Sequence, residues 1–344
     1  MKNLFYLISA IIILSSCEKT DDNNTVNLDF NDIILEEYDI TNIAFDNLGN
    51  AWATTYNAYQ PGDVNRPELI KYNITTQETT IWDSSNSLIK DSTYLWDITV
   101  DSRNNVWIAC DGLIRFNGES FTRYDTGNSE IPVPFNRELA VDSNDNIWFS
   151  SSSAREGGLV KFDGTDFTVY TPENSPLPLN GVASIAIDKN DNIWLAQYRS
   201  LGTTNLVNIS GDNWTVYTEQ DLGFTPVYWG GLDINSKNQV FAGIDYTLSS
   251  DNHDPRPQLI LFDGINCSQL RFNSISSIRS ITVDHKDNIW CKASGNESEI
   301  AVYNGSDWIV DSLTFKDKTL ETFELSSNNE IWAGTSSGIY INRQ

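Results

Sequence analysis

The chain has 344 residues, of which 47 are acidic and 22 basic, a formal net charge of −25. A field of that sign repels phosphate backbones, so nucleic acid is excluded as a partner. After Cys17, the cysteines Cys110, Cys267 and Cys291 show no CxxC or Cys/His ligand spacing, so no zinc site, disulfide scaffold or cofactor is expected. Each reads as a small buried apolar side chain.

In chain order, Lys2 and the apolar run from Leu4 to Leu14 have the flank and length of a signal-peptide core. The run is too short to span a bilayer as a helix. It ends in Leu14-Ser15-Ser16-Cys17, which resembles the lipobox of bacterial lipoproteins. That resemblance implies a signal peptide over 1–16, lipidation of Cys17 and a flexible tether over 17–25. Glu18-Lys19-Thr20-Asp21-Asp22 resembles the acidic tag that sends some Gram-negative lipoproteins to the cell surface. No later stretch is long and apolar enough to cross a membrane, so the expected membrane contact is a lipid anchor alone, in the outer membrane of the cell envelope.

The remaining residues, 26–344, read as one domain built from a repeat. An apolar stretch, Asp or a stand-in, and Trp six residues later recur in "AFDNLGNAW" ending at Trp52, "TVDSRNNVW" at Trp107, "AVDSNDNIW" at Trp148 and "AIDKNDNIW" at Trp194. The series continues with "DINSKNQVF" at Phe241, "TVDHKDNIW" at Trp290 and "ELSSNNEIW" at Trp332. Spacings of 41 to 55 residues fit a four-stranded propeller blade, not a helical solenoid. Within a copy, "SIAID" and "NIWFS" read as two short strands about a polar turn. A third strand is "GLIRFNG" (112–118), echoed by "GLVKFDG", "QLILFDG" and "EIAVYNG"; a fourth is "SFTRYD" or "DFTVYT". The Asn-Gly and Asp-Gly pairs predict two-residue hairpin turns with both residues at positive φ. No sustained helical period appears after residue 22. The seventh copy stops after three strands, at "SSGIYINRQ", while "VNLDFNDIILEEYD" (26–39) is strand-like and unpartnered. The expected fold is therefore an all-β, seven-bladed propeller closed by an N-terminal strand that completes the last blade, leaving no open edge.

Asp-x-x-x-Asn-Ile-Trp followed by Gly-Leu-x-x-Phe-Asx-Gly resembles the two-component-regulator propeller repeat over residues 40–344. That family builds periplasmic sensor domains of hybrid histidine kinases and free-standing secreted propellers. The resemblance implies a sensor-like binding module for a small molecule or glycan, or for an envelope protein. The streptogramin-lyase propeller is a similar shape and supplies the alternative, a secreted lyase or hydrolase. That family's paired catalytic His and Glu find no matching positions here.

"DSNDN" places Asp142, Asn144 and Asn146 as calcium-loop oxygens would be, but the loop glycine and the terminal bidentate Glu are missing. Other copies, such as Asp46-Asn47-Leu48-Gly49, cannot offer the same ligands, so no metal is expected. Turn-forming chemistry is what all copies share, and the Trp reads as a wedge between blades.

Once the repeat is subtracted, Trp96 and Trp229 remain among the 11 Trp, with Tyr228 beside the second. Both fall just before an innermost strand, where other copies carry Arg137, Arg279 and Glu321, and should ring the channel mouth. Three long loops, 54–67, 196–205 and 243–257, open on the same face, where binding residues concentrate. They add Tyr56, Tyr59, Tyr198, Arg199, Tyr246, His253 and Arg256. Aromatic rings beside Arg and carboxylates suit a sugar ring or an anionic glycan. His253, near Asp251 and Asp254, is a weak catalytic candidate, and His285 reads as a turn residue on the opposite face. A carboxylate pair working without His stays open, but 47 acidic residues single out none.

Overall fold

The computed structural model describes residues 26–56, 66–152, 156–197, 205–224, 228–245, 257–271, 277–294, 298–311, 314–315 and 318–343. They form seven four-stranded antiparallel sheets. The innermost strands are, from blade one to blade seven, Ile40–Phe45, Asp97–Val100, Asn136–Val141, Val182–Ile187, Trp229–Ile234, Ser277–Val283 and Leu320–Leu325. Each packs on the innermost strands of both neighbours, and Ile40–Phe45 against Leu320–Leu325 completes the circle. The closing strand is Phe30–Ile34, antiparallel to Gly338–Arg343 with Ile33 opposite Tyr340. The one helix among the described residues is the single turn Glu219–Leu222. Cys110 and Cys291 are buried and Cys267 half-buried, and all three are free thiols.

The repeated phrase explains why these residues build blades. In blade six, Asp284 Oδ1 accepts the backbone N–H groups of Lys286 and Asn288 at 2.8 and 2.9 Å, which closes the turn. Its Oδ2 accepts Asn288 Nδ2 at 2.8 Å and Trp290 Nε1 at 3.0 Å. The same four donors converge on Asp46, Asp101 and Asp142. Burial alone would raise the Asp46 pKa, but the bonds from Asn50, Trp52 and Leu48 hold it below the ordinary value. One carboxylate thus ties the turn to the indole. The indole then fills the next blade: Trp332 packs with Ile43, Ala53 and Ile70, and Trp52 with Ile98, Ile108 and Phe116. Burying one such ring contributes at most roughly 4–6 kcal/mol of transfer free energy.

Departures from the phrase keep the chemistry balanced. Blade five replaces Trp by Phe241, which has no N–H, and there the neutral Asn235 closes the turn onto Lys237 and Gln239. Blade seven has Ser326 in place of Asp, and Trp332 Nε1 turns to Glu330 Oε2 at 3.2 Å. Blade four is the exception: Asp188 keeps its turn bonds, but the buried Trp194 Nε1 has no partner.

Three residues after the Asp, the chain enters the left-handed region at Asn104, Asp145, Asp191, Asn238, Asp287 and Asn329, with φ between 59° and 63°. Asn and Asp tolerate that conformation. The corner also joins blades, because the Ser102 N–H and hydroxyl both donate to Asp145 at 2.8 Å, and Ser236 does the same to Asp287 at 2.9 Å. The Asx-Gly hairpins correct the expectation. Only the glycines, Gly118, Gly164, Gly264 and Gly305, take positive φ. The Asx side chain instead accepts the N–H groups beyond the glycine, as Asn117 Oδ1 does from Glu119 and Ser120. The turn is an Asx turn in a longer loop, and the side chain replaces one strained backbone position.

Asp284→Ala should lower the unfolding free energy by about 2–4 kcal/mol, because Trp290 Nε1 is left buried and unpaired. Asp188→Ala, whose indole is already unpaired, should cost about 1.5 kcal/mol less. Urea denaturation of both variants measures the difference.

Candidate functional site

A bulge builds the channel mouth. Six innermost strands slip register against their neighbours near the start, between Ile40 and Asn42, Asn136 and Leu139, Val182 and Ser184, Trp229 and Gly231, Ile278 and Ser280, and Leu320 and Thr322. A bulge frees one residue from the ladder and re-aims its side chain. Arg279 and Glu321 are freed in this way, and Arg137 lies within the bulge of blade three. In blade two the position belongs to Trp96, whose N–H still bonds Ala109 at 2.9 Å.

Around Trp96 the mouth carries a continuous stack. Tyr56 stacks on Tyr94 at 5.4 Å between centroids, Tyr94 on Trp96 at 5.0 Å, and the Arg137 guanidinium lies 4.8 Å from the Trp96 centroid. Despite this, Tyr94 and Trp96 are 48% and 41% exposed, and neighbouring Phe135 is 49% exposed. Opposite, Arg279 pairs with Asp245 at 3.0 Å, and Glu321 with Lys292 at 3.0 Å. Burial, then the Glu321 charge, pushes the Asp39 pKa up to about 6. Tyr94 was not among the sequence candidates, because its position two residues before Trp96 belongs to no repeated slot.

Trp229 requires a correction. It stands opposite Ile244, one position before the bulge, and is 6% exposed among Leu222, Ala242, Ile244 and Phe262. The bulged residue of blade five is Gly230, where a Cβ would come within 1.8 Å of the Ile278 carbonyl oxygen. Blades five and six approach too closely there for any side chain, so Trp229 serves the core. Tyr228 is half-buried, and its carbonyl accepts the Asp245 N–H at 2.9 Å. Tyr56 is described above; Cys17, Tyr59, Tyr198, Arg199, Tyr246, His253 and Arg256 lie outside the described residues. His285 is exposed in the corner turn of blade six.

Beneath the mouth the channel forms a cavity of about 750 Å³. Five carboxyl residues line it: Glu321 at the mouth, and Asp97, Glu138, Asp233 and Glu324 along the channel. Burial pushes the pKa of Asp233 up to about 6, against the pull of its bonds from Val283 and Ile234. Burial, then the charges of Asp233 and Asp97, pushes Glu324 up to about 8. Burial chiefly raises both Asp97 and Glu138, and the Asp97 charge raises Glu138 further. The four along the channel were missed, although a signal existed: each stands four or two residues before the corner residue, where a strand of period two faces the channel. Several channel side chains also join neighbouring blades. Asn42 donates to the Leu95 carbonyl, Asp97 accepts from Leu139 N–H at 2.7 Å, Ser184 from Leu232 N–H, and Asp233 from Val283 N–H at 2.7 Å. Thr282 donates to the Phe323 carbonyl at 3.0 Å. Among the described residues no group of three His, Cys, Asp or Glu side chains is placed to hold a metal ion.

The ring is a seven-bladed β-propeller with an aromatic-rimmed, carboxyl-lined channel. In fold it is similar to the extracellular domain assigned to the hybrid two-component system BT3049 of B. thetaiotaomicron, at 17% identity and a TM-score of 0.64, over 90% of this chain and 40% of that one. The chain thus spans about 40% of the length of that extracellular domain. It is also similar to a catalytically inactive virginiamycin B lyase from Staphylococcus aureus with quinupristin, at 13% identity and a TM-score of 0.66, over 89% of this chain and 94% of that one. YCF48 bound to D1 peptide is similar at 11% identity and a TM-score of 0.62, over 90% and 93%. At these identities the likeness is one of fold. No family profile and no curated protein matches the chain.

Trp229→Ala should cost about 3–5 kcal/mol of stability as a core truncation. Trp96→Ala should change stability by no more than about 1 kcal/mol, as a partly exposed position. Denaturant melts of the two variants check this ordering.

Proposed function

We propose that this protein is a binding module of the cell envelope, held by a lipid on Cys17, whose ligand site is the channel mouth. The observation that carries the reading is the Tyr56–Tyr94–Trp96–Arg137 stack, exposed at Tyr94, Trp96 and Arg137, at the rim of a polar cavity. Exposed aromatic rings contribute apolar contact at low entropic cost, and the surrounding polar groups fix orientation. A net charge of −25 and four carboxyls below the rim argue against the anionic glycan. The proposed ligand is a neutral glycan. Extracellular propellers of similar fold support an extracytoplasmic role, and among the described residues no helix is long and apolar enough to cross a membrane. The peptide-bound YCF48 propeller makes a protein partner the competing occupant.

A second reading has one specific observation in its favour. Asp97 and Glu138 both line the channel and the Asp97 charge helps raise the Glu138 pKa, and two carboxyls whose environments differ can work as acid and base. On that reading the propeller cleaves what it binds.

The chain without residues 1–17 is screened against a neutral glycan panel by thermal shift. Trp96→Ala and Tyr94→Ala should each weaken any hit by about tenfold or more. A hit unchanged by both substitutions would remove the site from the mouth, and an empty panel would remove the glycan. Product formed from a hit, and lost in Glu138→Gln, would favour the enzyme.

A further inference from the structure

The four channel carboxyls come from four different blades: Asp97 from blade two, Glu138 from three, Asp233 from five and Glu324 from seven. The other innermost strands bring Asn42, Ser184, Ser280 and Thr282 to the channel, none of which carries charge. Arg279 is the one lining cation among the described residues; it stands at the mouth, paired with Asp245. Glu321, also at the mouth, pairs with Lys292, and Asp39 feels its charge. Arg137 acts on Glu138 from the rim. Among the described residues, then, these acidic groups line the channel with no lining cation other than Arg279. Asp97 acts electrostatically on both Glu138 and Glu324, and Asp233 acts on Glu324. Like charges so enclosed cannot all ionise without cost.

We infer that the channel is a proton-binding element of the ring: protons held among these carboxyls let the blades close, and full ionisation pushes blades two, three, five and seven apart. The inference does not depend on the ligand at the mouth. Its sign follows from linkage. Groups whose pKa is raised on folding bind more protons in the folded chain, so their stabilisation is complete below the ordinary carboxyl range. It is lost as pH rises through the folded values, up to about 8 for Glu324. Glu138→Gln and Glu324→Gln keep the side-chain size and remove the ionisation.

The test is the melting temperature of the wild type and the Glu138→Gln/Glu324→Gln double variant from pH 6 to pH 9. The wild type should lose about 3 °C or more relative to the double variant across that range. Parallel profiles would overturn the proposal. Infrared spectra of the wild type supply the second measurement if the double variant does not fold. A protonated-carboxyl band present at pH 7 and titrated away by pH 9 supports the proton-holding channel, and its absence at pH 7 refutes it.

Discussion

The ring depends on the bond between a corner carboxylate and an indole six residues later. A buried carboxylate is costly unless donors surround it, and a buried indole N–H is costly unless it finds an acceptor. The repeated phrase solves both problems with one contact. It also couples two scales: the turn that ends the innermost strand and the ring that fills the gap to the next blade. Because the bond is local, a blade can form its own wedge. Four blades use it, and blades four, five and seven set an aromatic ring in the same place without it; one closing strand completes the circle. The Phe241–Asn235 and Trp332–Glu330 exchanges follow the same logic, since donor and acceptor are removed or replaced together.

This economy leaves the channel available for other chemistry. Blade four's Trp194 Nε1 aside, the wedge rings are satisfied between blades, so the innermost strands can turn polar side chains towards the axis. Some of these join neighbouring blades through backbone N–H or carbonyl groups. Others, Glu324 among them, answer chiefly to burial and to one another's charge. At the mouth the bulges release Arg279, Glu321 and the Arg137 region from the ladder, while Trp96 and Tyr94 present their rings to solvent. Rigidity at the wedge and variety at the rim are two results of the same repeat.

Fold was almost entirely legible in the sequence. Seven phrases at blade spacing, an incomplete last copy and an unpartnered N-terminal strand imply the closed ring, because an open edge is the one alternative they leave. The Asx-Gly turns were misjudged because residue type alone does not say whether a side chain will replace a backbone conformation. The site was less legible. Trp96 and Trp229 look equivalent in sequence, yet a shift of one residue at a bulge separates a solvent-facing ring from a core ring. Tyr94 and the channel carboxyls needed the third dimension, since period-two alternation assigns them a face but not the faces opposite. Tyr198, Arg199, Tyr246, His253 and Arg256 fall outside the described residues, so the sequence is all that speaks for them.

The division between wedge and rim can be read from the indole N–H groups themselves. Indole-labelled protein, assigned by single Trp→Phe changes, gives one nitrogen–proton resonance per ring, and hydrogen exchange measures the protection of each. The account requires slow exchange at Trp52, Trp107, Trp148 and Trp290, each bonded to its corner carboxylate at 2.9 to 3.0 Å. It requires fast exchange at the exposed Trp96. Corner indoles that exchange as fast as Trp96 would contradict it, because the bond on which the ring depends would then not be holding.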